Sequence, residues 1–226
     1  MNFPEIKFPR DKALELSDFR DMDYYAVENF NLPIELMMEN AGLHLARLIS
    51  HFAAKNNSIK IGIGNGNNGG GGLVAARRLS AWGYLVHLDL FTEVTKELPI
   101  MQLERALKFG ARTTKVESPD FWVDAYLGFS QRLPLGEDLL EVLNVANTSN
   151  AAKISLDIPT GFIGHMDSPY FKADKILALA APKKILYDLQ NTEIYVADLG
   201  IPKKVYDMFD TDFIPFDENG IIKILI

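Results

Sequence analysis

Three short stretches of the sequence gather residues that can do chemistry. The first is Gly64-Asn65-Gly66-Asn67-Asn68-Gly69-Gly70-Gly71-Gly72. With so few side chains, its backbone amides can approach a ligand closely, and a helix starting behind it offers partial positive charge to an anion such as phosphate. A P-loop closes with Gly-Lys-Ser/Thr, whereas this stretch runs on as Gly72-Leu73-Val74 and is not one. Gly64, Gly66 and Gly69 fit the dinucleotide pattern G-x-G-x-x-G, and Asp89 lies 20 residues after Gly69, where a ribose-binding acid belongs. Asn67 and Asn68 open another reading, because two amide side chains can coordinate a cation or orient a polar ligand.

The second and third stretches are Val123-Asp124-Ala125-Tyr126-Leu127-Gly128-Phe129-Ser130 and Leu156-Asp157-Ile158-Pro159-Thr160-Gly161. Each sets a carboxylate at the end of an apolar run, and the latter adds a hydroxyl. In an open parallel sheet the carboxyl ends of the strands line the ligand crevice. Asn68, Asp124, Asp157 and Thr160 are therefore expected to converge from three strands. Hard oxygens of this kind suit potassium, sodium, magnesium or calcium. The plainer alternative is that each aspartate caps the helix that follows. The four histidines lack metal-ligand spacing. His44 and His51 read as a solvated helix face, and His165 is the one histidine in a loop near Asp157.

Positioning these stretches requires an alternation of strands and helices. Residues 11–51 read as two helices, with Ser17 or Asp18 as a cap and Pro33 at the first position of the second. Ile34, Met37, Met38, Ala41, Leu45 and Leu48 recur at helical spacing on one face. Tyr24, Tyr25 and the two methionines read as core or interface. Strands are predicted at 59–63, 84–91, within 116–127 ending at Asp124, and at 153–157, 174–181 and 194–199. Helices are predicted at 73–82, 98–109 with Gly110 as the stop, and 136–146. The tail reads as a short helix after Pro202 and an edge strand over 220–226. The alternation implies one α/β domain over residues 1–226, a mostly parallel sheet covered on both faces and preceded by N-terminal helices.

Composition narrows the function classes. The absence of cysteine excludes disulfides, thiolate metal sites and cysteine nucleophiles. A net charge of −7 disfavours a broad nucleic-acid surface. No apolar run reaches the roughly 20 residues of a membrane span, and the charged, proline-containing start does not read as a targeting segment, so a cytoplasmic protein is expected.

Four motifs in order resemble those of the NAD(P)H-hydrate epimerases, the YjeF N-terminal domain. They are Leu36-Met37-Met38-Glu39-Asn40-Ala41-Gly42, the glycine stretch with Leu73-Val74-Ala75-Ala76-Arg77, Val123-Asp124-Ala125 with Gly128, and Leu156-Asp157-Ile158-Pro159-Thr160-Gly161. Ala173-Asp174, Ala181-Pro182-Lys183 and Asp198-Leu199-Gly200-Ile201-Pro202 also look like family positions, so the resemblance spans residues 14–210. It implies a Rossmann-like three-layer α/β/α sandwich, often a homodimer, that interconverts the R and S forms of hydrated NADH and NADPH as metabolite repair. It implies a substrate site at Asn67, Asn68, Gly69, Gly70 and Gly71, at Gly128, Phe129, Ser130, Gln131, Arg132, Leu133 and Pro134, and at Asp157. It implies a potassium ion on Asn68, Asp124 and Thr160, the last at a position where serine is common. Some relatives carry a fused dehydratase domain, so a separate dehydratase is the expected pathway partner here.

The chemistry can be stated independently of the resemblance. The hydrate carries a hydroxyl on the ring carbon beside the nitrogen. Expelling it leaves a cation stabilised by that nitrogen, and water returning to the other face inverts the centre. An acid and a base are needed, and Asp157 is the candidate. The family loop has aspartate where this chain has Gly71. That leaves, beside the epimerase, the alternative of a catalytically impaired nucleotide-binding or scaffold module. A conventional NAD-dependent dehydrogenase lacks a substrate domain and a catalytic His, Lys or Tyr set.

Overall fold

A computed structural model describes residues 3–164 and 168–225; His165 lies outside the described residues. The strands are β1 (Glu5–Lys7), β2 (Ser58–Ile63), β3 (Leu85–Leu90), β4 (Phe121–Ala125), β5 (Ala152–Leu156), β6 (Lys175–Leu179), β7 (Glu193–Ala197) and β8 (Ile221–Leu225). They form one sheet in the order β1-β8-β7-β6-β5-β4-β2-β3. Pairing is parallel throughout except between β7 and β8. The chain goes from β2 outward to β3 and then back across to β4. The order therefore reverses at the β2/β4 boundary, the place where open α/β sheets leave a crevice.

Side-chain alternation along the strands builds two cores. Phe121, Val123 and Ala125 of β4 join Ile59, Ile61 and Ile63 of β2 under α2 (Ile34–Phe52), α3 (Asn67–Ala81) and α4 (Glu97–Lys108). Trp122 and Tyr126 join the opposite core, under α5 (Glu137–Thr148). That face has no second long helix; Phe162 and Phe171 from the β5–β6 connection and Leu186 from a 3-10 turn complete it. A third cluster sits over the ends of β6 and β7. There Phe19, Met22 and Ala26 of α1 (Leu16–Phe30) pack on Ala180, Ala181, Leu199 and, from α6 (Lys203–Met208), Val205 and Tyr206.

Several expectations change. The 220–226 segment is a strand but not the edge, because β1 pairs with its outer side; three residues without apolar alternation gave β1 no sequence signal. Neither Ser17 nor Asp18 caps α1, since the helix starts at Leu16 and both lie inside its first turn. Pro33 is the N-cap of α2 rather than its first residue. His44 is buried, not solvated, its ring against the backbone of Gly220.

The largest difference concerns the glycine stretch. Helix α3 starts at Asn67, six residues earlier than predicted, so Gly69 to Gly72 are helical and buried rather than a turn. Their small size serves packing. A Cβ on Gly69 would stand 1.9 Å from the Gly64 carbonyl, and one on Gly72 would stand 2.7 Å from Ala125 of the sheet. Glycine disfavours an isolated helix; here tertiary packing, with α2 crossing closely over α3, overrides that propensity.

Candidate functional site

At the β2/β4 crevice lies a cavity of about 400 Å³. Its walls come from α1, α2, the start of α3 and the turns after β4 and β5, with Met37, Met38 and Ala41 forming an apolar side. The first intrahelical bond of α3 near the cavity runs from Gly70 N to Gly66 O. The amides of Asn67 and Asn68 precede it and take no helical partner, which is the geometry of an anion site. Lys96 stands at the same end of the cavity. It is held there because Asn65 Oδ1 accepts from Thr95 N at 2.8 Å and Lys96 N at 3.1 Å.

At the end of β4, Asp124 is fully buried and its two oxygens are saturated. Oδ1 accepts from Thr160 Oγ1 at 2.6 Å and Tyr126 N at 3.3 Å; Oδ2 accepts from Ser155 Oγ and Thr160 N, both at 2.8 Å. Burial pushes the carboxyl up to about 6 against these bonds. Thr160 Oγ1 in turn accepts from Leu127 N at 3.1 Å, and Asn68 Nδ2 donates to Leu127 O at 2.8 Å. The backbone of one residue, Leu127, thus ties Asn68, Thr160 and Asp124 together. One carboxylate, one amide oxygen and one hydroxyl fit a weakly charged monovalent cation better than calcium. No cluster of three His, Cys, Asp or Glu side chains suited to a metal occurs among the described residues.

The end of β5 is built differently. Asp157 takes a left-handed backbone conformation, φ 67°, which turns its side chain out of the strand alternation. Oδ2 accepts from Phe129 N at 3.0 Å. Oδ1 pairs with Lys183 Nζ at 3.0 Å, both side chains essentially without exposure, but makes no aligned hydrogen bond. The chain brings Lys183 there by a left-handed turn at Ala180, and Nζ donates to Leu179 O. The ammonium lies 3.5 Å over the Phe19 ring of α1. Burial lowers the Lys183 pKa, while Asp157 and Asp23 raise it. Asp23, also from α1, lines the cavity, and its enclosed Oδ1 has no hydrogen-bond partner. Burial pushes its carboxyl up to about 7, with Lys183 pulling the other way.

Of the residues singled out in the sequence, Asn67, Asn68, Gly71, Gly128, Phe129, Ser130, Gln131 and Asp157 line the cavity. Gly69 and Gly70 face packed neighbours instead, and Arg132, Leu133 and Pro134 lie beyond its rim. Gln131 fixes the turn after β5, donating to Pro159 O and Phe162 O and accepting from Gly161 N. Asp89 does not sit as a ribose acid: the Tyr126 hydroxyl occupies it at 2.7 Å. Sequence reasoning gave no role to Asp23 or Lys183. A signal for Asp23 existed, since positions 19, 22, 23 and 26 share one helical face that is otherwise apolar. Lys183 had only its place after Ala180-Ala181-Pro182, a charge closing an apolar run.

Comparison with known proteins places this architecture. The family model described as YjeF-related protein N-terminus matches residues 34–185. An NAD(P)H-hydrate epimerase of Rhodopirellula baltica is 34% identical, the match covering 84% of this chain and 85% of that one. A bifunctional NAD(P)H-hydrate repair enzyme of Thermofilum pendens is 30% identical over 87% of this chain and 41% of its own length. The crystal structure of a yeast protein superposes with a TM-score of 0.82 at 23% identity, covering 94% of this chain and 99% of the other, a likeness of fold.

Proposed function

This chain belongs to the family of YjeF-related protein N-termini, and we propose that it acts as an NAD(P)H-hydrate epimerase, interconverting the R and S forms of hydrated NADH and NADPH. The observation that carries this reading is one cavity with a phosphate-ready end and a proton-transfer end. Free amides at the start of α3 with Lys96 suit the diphosphate, and the buried Asp157–Lys183 pair suits the altered ring. Met37, Met38 and Ala41 give the cavity an apolar side for the ring. Asn68, Asp124 and Thr160 are the residues that would hold a potassium ion, Asp124 and Thr160 exchanging hydrogen bonds for it. When bound, that ion would supply a fixed positive charge tying the turn after β4 to the turn after β5.

A dehydratase fits as the next enzyme, since related proteins exist as bifunctional repair enzymes. No helix among the described residues is long and apolar enough to cross a membrane, and the cytoplasm, where reduced nicotinamide nucleotides turn over, is the compartment we assign.

The test is epimer exchange by purified protein, started from each hydrate epimer and measured against the uncatalysed rate. Both epimers should reach one equilibrium mixture faster than background, and Asp157→Ala should return the rate to background. If exchange stays at background while NADP still binds, the protein is a nucleotide-binding module. Rubidium or thallium in place of potassium should scatter anomalously beside Asp124; its absence there rejects the ion.

A further inference from the structure

We propose that Asp23 is a second catalytic residue of this cavity, the acid that protonates the leaving hydroxyl while Asp157 serves the incoming water. The inference rests on the epimerase reading. Inversion through a planar cation needs an acid as water leaves the ring and a base as water returns, and one carboxyl group is not both at once.

The cavity supplies a second carboxylate. Asp23 reaches it from α1 and Asp157 from the end of β5, both beside the buried Lys183 ammonium. The two have opposite surroundings. Asp157 is ion-paired with the Lys183 ammonium at 3.0 Å and accepts from the Phe129 amide. Asp23 has one enclosed oxygen with no partner, and lies outside direct ion-pair reach of Lys183 among the described contacts. The groups facing Asp23 are Lys183 after β6, Asp157 after β5 and Tyr206 of α6, with Arg20 and Tyr24 on its own helix; α2 presents only uncharged side chains to the cavity. Burial and the neighbouring Asp157 favour its protonated form and Lys183 opposes it, giving a carboxyl pushed up to about 7. A buried carboxyl that keeps its proton, beside one that is ion-paired with a lysine, supplies an acid and a base.

The Asp23 carboxyl gives its proton to the ring hydroxyl, the C–O bond breaks, and water departs while the ring-nitrogen lone pair forms C=N⁺. A water on the other face bonds to the same carbon, the C=N⁺ pair returns to nitrogen, and the proton of that water passes to the Asp157 carboxylate. The enzyme is left with the proton on Asp157. Exchange with solvent restores the starting form, and the reverse reaction uses the swapped form directly.

The experiment compares the natural chain with Asp23→Asn, a change of almost no volume. Epimer exchange is followed against pH, NADP affinity is measured, and the Asp23 carboxyl of isotope-labelled protein is titrated by NMR, identified by its absence in the variant. Asp23→Asn should slow exchange about 10²–10⁴-fold with NADP affinity unchanged. The natural chain should lose rate as pH rises through about 7, where Asp23 gives up its proton, and the residual rate of the variant should lack that fall. A variant as fast as the natural chain with the same pH profile overturns Asp23 and leaves the epimerase reading intact. If the natural chain shows no exchange, the epimerase reading fails and the titration alone judges Asp23. A midpoint near 7 that moves when NADP binds supports a proton-holding group in contact with ligand. A midpoint in the ordinary carboxylate range overturns the proposal.

Discussion

The ends of β4 and β5 lie side by side, each with a buried aspartate, and they are wired in opposite ways. Asp124 accepts four hydrogen bonds from three residues and, among the described residues, pairs with no lysine or arginine. Asp157 accepts one aligned hydrogen bond, leans on one buried lysine, and keeps an oxygen without an aligned donor. A polar network with every donor and acceptor matched fixes geometry and has nothing left with which to react. An incompletely matched one keeps a lone pair for substrate at a cost in stability. Neighbouring aspartates of similar burial are thus divided into a fully engaged brace and a carboxyl with an open oxygen by their partners, not by their depth.

Lys183→Met breaks the open end hardest. It leaves the Asp157 carboxylate buried without its cation, which destabilises by about 3–5 kcal/mol. Urea unfolding measures it, and adding Asp157→Asn should restore much of the loss. A double variant no more stable than Lys183→Met rejects the pair as the source. Asp124→Ala tests the closed end, stranding the Thr160 and Ser155 hydroxyls and the Thr160 amide. The expected cost is about 1–3 kcal/mol for leaving such donors unmatched. Exchange by the folded fraction should fall far less than in Asp157→Ala; an equal fall makes Asp124 part of the chemistry and erases the contrast.

Asp23 adds a pH signature to the open end. Its folded pKa of about 7 stands above the ordinary 3.8, so the folded state holds a proton that the unfolded chain has released. Its contribution is therefore lost as pH rises from about 4 to 7. Asp23→Asn should be more stable than the natural chain at pH 8, by about 1–2 kcal/mol after allowance for partial exposure, and no more stable at pH 4. Equal stability at both pH values in thermal melts rejects a perturbed Asp23. The smallest effect is expected at Gly71→Asp. Gly71 has ordinary helical backbone, so the obstacle is contact rather than conformation: its Cβ would meet Leu156 Cδ2 at 3.0 Å. Relief of that contact should cost about 1 kcal/mol, and the added carboxylate in the cavity wall should raise exchange. A well-folded variant with no faster exchange removes position 71 from the chemistry.

The sequence by itself determined the alternation of strands and helices, because apolar period and β-branched runs are local. It also determined that Asn68, Asp124, Asp157 and Thr160 meet, because strand ends in a parallel sheet share one edge. Three things were decided only by tertiary structure. The glycine run became the start of α3 rather than a loop, since the demand came from the Gly64 carbonyl and from Ala125, neither visible in local propensity. Residues 5–7 became a strand only because β8 offered an open edge. Asp23 and Lys183, 160 positions apart, became partners of Asp157 only when α1 folded across the ends of β6 and β7. A charge in an apolar stripe announces that something must meet it. Which residue does so depends on long-range packing, and that is not written in the spacing of either segment.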